Sequence, residues 1–153
     1  MRRKDKEIAD KSEIESIIRK SLVCRLGLAD NGTPYIVPLC FGYKDNSLYF
    51  HSAKEGRKIE ILKRNNEVCF EFDDNLEVQA GKAACDWGMK YRSVIGYGRA
   101  SFVEDSEEKR KALDVIMAQY ADGVFEYSEK VLGKALVIKV EIESMTGKKS
   151  KDA

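Results

Sequence analysis

Apolar side chains along this chain alternate in the manner of strands for most of its length, with four short stretches at helical spacing between them. Ser12-Glu-Ile-Glu15 has the form of a capping box, and Ile14, Ile17 and Ile18 follow at helical intervals, so the spacing predicts a helix over 13–21. Leu22 to Ala29 then reads as a strand, and Asp30-Asn31-Gly32 as a hairpin turn, since Asn-Gly tolerates the positive φ that a tight turn needs. The returning run, Tyr35 to Tyr43, is apolar at nearly every position, the pattern of a strand covered on both faces. Pro38 within it removes a ladder donor, which predicts an edge, a bulge or a ligand-facing bend. A strand over 47–52, a helix from about Gly56 to Asn65 and an alternating strand over 67–73, with Val68, Phe70 and Phe72 on one face, come next.

Residues 74–90 lack either period and predict a long loop carrying a little helix, of the kind that is functional or disordered. Tyr91 to Glu104 reads as a strand with Val94, Gly96, Gly98, Ala100 and Phe102 on one face. Small residues there serve either barrel curvature or the close approach of another backbone or a flat ligand. Asp105 caps a helix with the apolar stripe Leu113, Ile116, Met117 and Tyr120, closed by Gly123, and a second short helix spans about 125–132. The last strand alternates Leu136, Ile138, Val140 and Ile142 inward with Lys139, Glu141 and Glu143 outward, and the polar tail after Gly147 is expected to fray. Six or seven mostly sequential antiparallel strands with three or four short helices, and no regular β-α alternation, indicate a mainly β (α+β) fold. A small helix-decorated β-barrel fits best. The length predicts one domain over 1–153, flexible at 1–10 and 148–153.

Charge narrows the function classes. Lys+Arg 27 against Asp+Glu 26 leaves +1, so nothing draws the chain as a whole to nucleic acid or an anionic membrane. Nor is there a basic, aromatic strand face of the kind that binds single strands. No apolar run approaches the roughly 20 residues that span a bilayer. Met1 to Glu7 has positive charge without an apolar stretch behind it, unlike a signal peptide. Cys24, Cys40, Cys69 and Cys85 are irregularly spaced. The first three, set among apolar residues, read as reduced core thiols in preference to a disulfide or metal role. Cys85 is the thiol expected to be exposed. A single histidine argues against a His-rich metal site. A cytoplasmic protein without a metal is the economical expectation.

The densest chemistry lies in Leu48-Tyr-Phe-His-Ser-Ala-Lys-Glu-Gly-Arg-Lys-Ile59. A strand ends in imidazole and hydroxyl, His51 and Ser52, and a helix opens with Arg57 and Lys58. Free N–H groups, the positive end of the helix dipole, a two-pronged guanidinium and an ammonium together suit a phosphate. Alone, Arg57 and Lys58 read equally as solvated surface cations. His51 reads either as a hydrogen-bonded strand-end side chain or as a proton-exchanging group beside a ligand. Trp87 reads as a lid or stacking residue, or as packing at a subunit interface.

These pieces in order resemble the flavin-binding split-barrel superfamily that contains pyridoxamine 5′-phosphate oxidase, and within it the branch related to 5-nitroimidazole resistance proteins. The likeness is carried by Val23-Cys-Arg-Leu-Gly-Leu28, Pro34-Tyr-Ile-Val-Pro-Leu39, Leu48-Tyr-Phe-His-Ser-Ala53, Gly56-Arg-Lys58 and Tyr91-Arg-Ser-Val-Ile-Gly-Tyr-Gly98, spread over about residues 10–147. The resemblance implies an antiparallel split β-barrel forming a homodimer, with FMN at each end of the subunit interface. By position, Val37, Pro38, Leu39, Cys40 and Phe41 resemble the strand beside the flavin ring. Ser52, next to Ala53, together with Arg57 and Lys58 resembles the phosphate-holding set. Ser93 stands where the oxidase has a glutamine beside the flavin, with Val94 after it. His51 matches a histidine near the reactive centre of the resistance-protein branch, and the loop bearing Trp87 is placed to close the pocket, from the other subunit in one version. The sequence departs from the oxidase at its end, Met145-Thr-Gly-Lys-Lys-Ser150, where the oxidase's substrate-phosphate residues have no counterpart. Pyridoxamine phosphate is therefore not the expected substrate.

The resemblance thus implies an FMN-dependent oxidoreductase that passes electrons from NAD(P)H or another donor to a small acceptor, nitroaromatics included. No G-x-G-x-x-G follows a strand, so a nicotinamide would bind only transiently. The alternative is a non-catalytic flavin- or haem-binding protein, a redox sensor or cofactor reservoir, in which a haem would call on His51.

Overall fold

The computed structural model describes residues 3–150; residues 1–2 and 151–153, the outermost parts of the ends expected to be flexible, lie outside the described residues. After a 3₁₀ turn at Lys4–Lys6, β1 (Glu7–Ile8) leads into α1 (Lys11–Lys20). That helix starts two residues earlier than expected. Asp10, two residues before Ser12, is the cap, accepting the Ser12 N–H at 2.9 Å, and a carboxylate also complements the helix dipole there. Ile14, Ile17 and Ile18 are buried as the periodicity requires.

β2 (Cys24–Asp30) and β3 (Thr33–Leu39) form the expected hairpin, with positive φ at Asn31 (51°) and Gly32 (85°). The expected single strand 35–43 divides: Cys40 and Phe41 break it, and β4 (Gly42–Lys44) turns through Asp45 and Asn46 into β5 (Ser47–Ser52). α2 (Arg57–Arg64), β6 (Glu67–Gln79), β7 (Gly88–Val103), α3 (Ser106–Met117), α4 (Glu129–Lys134) and β8 (Leu136–Lys149) complete the chain. Asp105 caps α3 as expected, accepting from the N–H groups of Glu107 and Glu108. α4 begins four residues later than expected, behind a Ser128 cap.

All the strands join one sheet in the order β3-β2-β6-β7-β8-β5-β4, with β1 paired to β8, and every pairing is antiparallel. Its concave side wraps a core of Leu26, Phe41, Phe50, Phe70, Phe72, Val94 and Ile138, all fully buried. A second cluster, Val103, Leu113, Ile116, Leu132 and Val137, seats α3 and α4 on the outside of β7 and β8. The split β-barrel with flanking helices is thus observed, with eight strands among the described residues. The extra ones come from the divided run and from the two-residue β1.

Four expectations change. Residues 74–90 are mostly strand: β6 continues to Gln79, β7 begins at Gly88, and a 3₁₀ turn, Ala84–Asp86, lies between. A register shift between Asp74 and Glu77 breaks the alternation there, and beyond it neither pleat face is buried in one chain, so the sequence carries no period. The open choice at the small-residue face of β7 is resolved towards packing and the approach of another backbone, away from clearance for a flat ligand. A Cβ at Gly96 would collide with the Phe70 ring, and one at Gly98 with the Glu141 carbonyl beside the register shift in β7–β8, so these glycines make room for the core. Cys40 is exposed on the outward pleat, not buried; Cys24 is fully buried, Cys69 half-buried and Cys85 exposed. The two ends are also held: Glu7 and Ile8 pair with Lys148 and Gly147, and the buried Ser150 donates its N–H to the Tyr91 carbonyl at 2.9 Å.

No helix among the described residues is long and apolar enough to cross a membrane, and no group of three or more His, Cys, Asp or Glu side chains among them is placed to hold a metal.

Candidate flavin phosphate corner

β5 carries its side chains alternately in and out, so Phe50 enters the core, His51 faces outward and is exposed, and Ser52 faces inward at the strand's end. The Ser52 hydroxyl oxygen is buried and has no hydrogen-bond partner. An orphaned buried hydroxyl costs about 1–3 kcal/mol, and such groups generally have a reason to persist. The chain leaves the strand through Ala53, Lys54 and Glu55, all exposed, to Gly56 at φ 121°, a conformation that a side chain would strain.

Gly56 is the N-cap of α2 but supplies no side chain to its free donors. Its carbonyl accepts from the N–H groups of Ile59 and Glu60, at 2.9 and 3.2 Å, which leaves those of Arg57 and Lys58 outside the helical ladder. The ion pairs of α2 are made at its far end, Lys63 to Glu60 and Arg64 to Asp30. Neither Arg57 nor Lys58 has a carboxylate partner among the described residues. Arg57 instead lies over the Tyr35 ring of β3, 4.7 Å from its centroid, so the guanidinium is aimed without being neutralised. A buried hydroxyl, unused N–H groups and two cations without carboxylate partners thus lie together between the end of β5 and the start of α2, a set that fits the end of a phosphorylated ligand.

β3 is an edge strand, one of the three alternatives that Pro38 left open, and one row of its backbone groups has no sheet partner. Tyr35, Val37 and Leu39 pack against the core, while Ile36, Pro38 and Cys40 face out. The strand is therefore covered on one face only in a single chain. Phe41 and Val94 are fully buried, so only their backbones are available to a ligand. At the bend the Phe41 N–H is already taken by the Tyr120 hydroxyl at 2.8 Å. The grooves between α3 and β4, of about 320 and 480 Å³, are lined by residues such as Tyr43, Tyr49, Lys44, Lys111 and Val115, and include neither Ser52 nor Arg57. One chain presents the corner as a shelf.

Ser93 and Trp87 are not brought to that shelf. Tyr35 is level with Leu28, Val68 and Gly98 across the sheet, and β7 runs from Gly98 away from the corner through Ser93 to Gly88. Tyr35 and Tyr120 are the two residues that sequence reasoning missed. Tyr35 shares the inward pleat of Val37, a usable signal. Nothing in the local pattern marks Tyr120, whose partners lie 79 and 98 residues away.

The family model for pyridoxamine 5′-phosphate oxidase matches residues 10–149. The chain belongs to that family. A candidate 5-nitroimidazole antibiotic resistance protein from Bacteroides thetaiotaomicron is similar, at 43% identity and a TM-score of 0.85 over 93% of this chain and 85% of that one. Two solved structures share the oxidase-family fold at low identity. The flavocytochrome Anf3 from Azotobacter vinelandii is 19% identical, with a TM-score of 0.86 over 99% of this chain and 72% of that one. An FAD and haem binding protein from Mycobacterium smegmatis is 17% identical, with a TM-score of 0.87 over 95% and 74%. Comparison with curated proteins returned no match.

Proposed function

We propose that this chain is an FMN-dependent oxidoreductase, active as a homodimer, that reduces a small acceptor, with nitroaromatics the first class to test. The observation that carries this reading is the orphaned Ser52 hydroxyl beside the uncapped start of α2 and its two unpaired cations. A terminal phosphate carries about −1.5 to −2 at neutral pH and three acceptor oxygens. That matches one hydroxyl, the free N–H groups, Arg57 and Lys58 better than the internal pyrophosphate of FAD does, whose phosphates carry one charge each. Bound FMN supplies the electron-transfer chemistry.

The chain's own part is to hold and orient. Ser52 donates to a phosphate oxygen and so gains the partner it lacks. Tyr35 fixes Arg57 in reach, and the α2 dipole adds positive potential. The free edge of β3 offers the ring backbone donors and acceptors. His51, the chain's single imidazole, stands exposed at the mouth and is the group available to deliver a proton to an acceptor. Exposed Ile36, Ile95 and Tyr97 on the outer sheet face support the dimer, since they remain wet in one chain. The likeness to the Bacteroides protein supports the acceptor class.

The test is the absorption spectrum of the purified protein, before and after anaerobic addition of NADH or NADPH, followed by turnover with a nitroimidazole. Flavin bands that bleach, with the released cofactor identified as FMN, are expected. A colourless protein that takes up neither FMN nor FAD overturns the reading. Flavin binding without turnover on any donor and acceptor identifies a non-catalytic binder, and a Soret band identifies a haem protein.

A further inference from the structure

Gly42 of β4 and Val115 of α3 meet backbone to backbone: a Cβ on Gly42 would lie 2.5 Å from the Val115 carbonyl group. A groove opens on each side of that contact, and Lys44, Lys111 and Val115 line both. The two differ in charge. The smaller, of about 320 Å³, adds Asp45 and Glu108, which offset the two lysines, and Lys139, which is paired with Glu141 at 2.7 Å. The larger, of about 480 Å³, adds Arg19 and a single carboxylate, Asp114. Arg19 is paired with Glu15 at 2.9 Å. Neither Lys44 nor Lys111 has a carboxylate partner among the described residues. Two unpaired ammonium groups against one carboxylate leave the larger groove with an excess of one positive charge. Its volume suits a small organic molecule. Its excess charge suits a monoanion better than a phosphate monoester, which carries about −1.5 to −2.

The walls set which way a guest lies. Lys111, Val115 and Ala118 recur at helical intervals on one stripe of α3, so the groove passes from cationic to apolar towards the helix end. The α3 dipole is negative at that end, around Ala118, which drives an anionic head back towards Lys111 and Lys44. The Tyr43 ring lines the same groove and is held by its hydroxyl, which donates to Glu15 Oε1 at 3.1 Å. Gln119 completes the lining, pinned by its amide to the carbonyls of Arg19 and Ser21, both at 2.9 Å. Head, body and orientation are thus all specified by side chains that the flavin corner does not use.

We propose that this groove is an effector site for a small organic carboxylate with an apolar or aromatic body, and that filling it tightens FMN. The link to the flavin runs through residues adjacent in sequence. Gln119 lines the groove, and Tyr120 after it accepts the Phe41 N–H at the bend that ends β3. A guest packed on Ala118 and Gln119 restrains the segment that carries Tyr120, so the β3 edge is already set when the ring arrives. The link rests on the FMN reading above; the groove itself does not.

The full chain, with and without FMN, is titrated with benzoate and with its neutral analogue benzamide while the backbone amides are followed by NMR. Saturable shifts centred on Val115, Ala118 and Gln119 are expected, with benzamide about tenfold weaker for want of the charge. A variant with Lys44→Gln and Lys111→Gln, both exposed positions, should lose the benzoate response and bind FMN alone as the wild type does. Benzoate should tighten FMN about fivefold in the wild type and not in the variant, and FMN should tighten benzoate by the same factor. Equal binding of benzamide and benzoate, shifts centred elsewhere, no binding at all, or an unaffected variant overturns the site. Benzoate binding that leaves FMN affinity unchanged overturns the link to the flavin. A protein that takes up benzoate but neither FMN nor FAD overturns the cofactor assignment, and with it the link but not the groove.

Discussion

The Tyr120 hydroxyl accepts the Phe41 N–H at 2.8 Å and donates to the Leu22 carbonyl at 3.0 Å, so one phenol ties the chain after α3 both to the bend that ends β3 and to the approach of β2. Its ring also meets Phe41 edge-on, with centroids 6.5 Å apart. Next to it, Gln119 donates to the carbonyls of Arg19 and Ser21, both at 2.9 Å. The break at Cys40–Phe41 is thus held from outside the sheet. Tyr120→Phe keeps the ring and removes only the hydroxyl. We expect a loss of about 1–3 kcal/mol by urea denaturation, from two backbone groups left without a partner. FMN should also bind more weakly, because the β3 bend is no longer fixed. Unchanged stability would show that the backbone finds other partners.

Ser52→Ala separates stability from binding. The hydroxyl has no partner in the protein alone, so its removal should leave the melting temperature of the flavin-free protein unchanged or raised. The same substitution should weaken FMN about tenfold, the value of one hydrogen bond to a charged group at about 1.5 kcal/mol. Calorimetric melting and FMN titration of the same preparation check both. A destabilised flavin-free variant would mean that the hydroxyl serves the fold.

Alkaline pH tests the burial of three phenols. Burial is the largest cause that pushes Tyr43, Tyr120 and Tyr127 up to about 12 from an ordinary 10.0, and Glu15, to which Tyr43 donates at 3.1 Å, adds to its shift. Between those values the folded chain keeps protons that the unfolded chain has lost. The contribution is therefore complete below pH 10 and is lost as pH rises through about 12. Urea midpoints should fall across that window, and less steeply for Tyr43→Phe. Phenolate absorbance should show part of the seven tyrosines titrating late. A single titration of all of them near 10 would contradict this.

Much of the barrel was legible because one buried pleat face imposes a period of two, as in Val68, Phe70 and Phe72 or along β8. The Asn31-Gly32 turn followed from backbone sterics alone, and Pro38 narrowed its strand to an edge, a bulge or a bend, of which the edge is observed. The cluster of Ser52, Gly56, Arg57 and Lys58 was legible for a related reason: hydroxyl, glycine and cations adjoin in sequence, between the end of a strand and the start of a helix. Three features were not. The arm at 74–90 has no buried face in one chain and so no period to read. Gly96 read either as barrel curvature or as clearance for a backbone or ligand, because its filler, Phe70, is on another strand. Tyr120 acts on Phe41 across most of the chain, beyond any window of spacing.

The phosphate is the test of the whole reading, and riboflavin is FMN without it. Titrating wild-type protein and the Arg57→Ala, Lys58→Ala double variant with both ligands isolates that group. We expect wild type to prefer FMN by at least about a hundredfold, the value of two charge-assisted hydrogen bonds at about 1.5 kcal/mol each. In the double variant most of that preference should vanish while riboflavin affinity stays put. Equal affinity of the wild-type protein for FMN and riboflavin would contradict the assignment of the Ser52–Arg57–Lys58 corner.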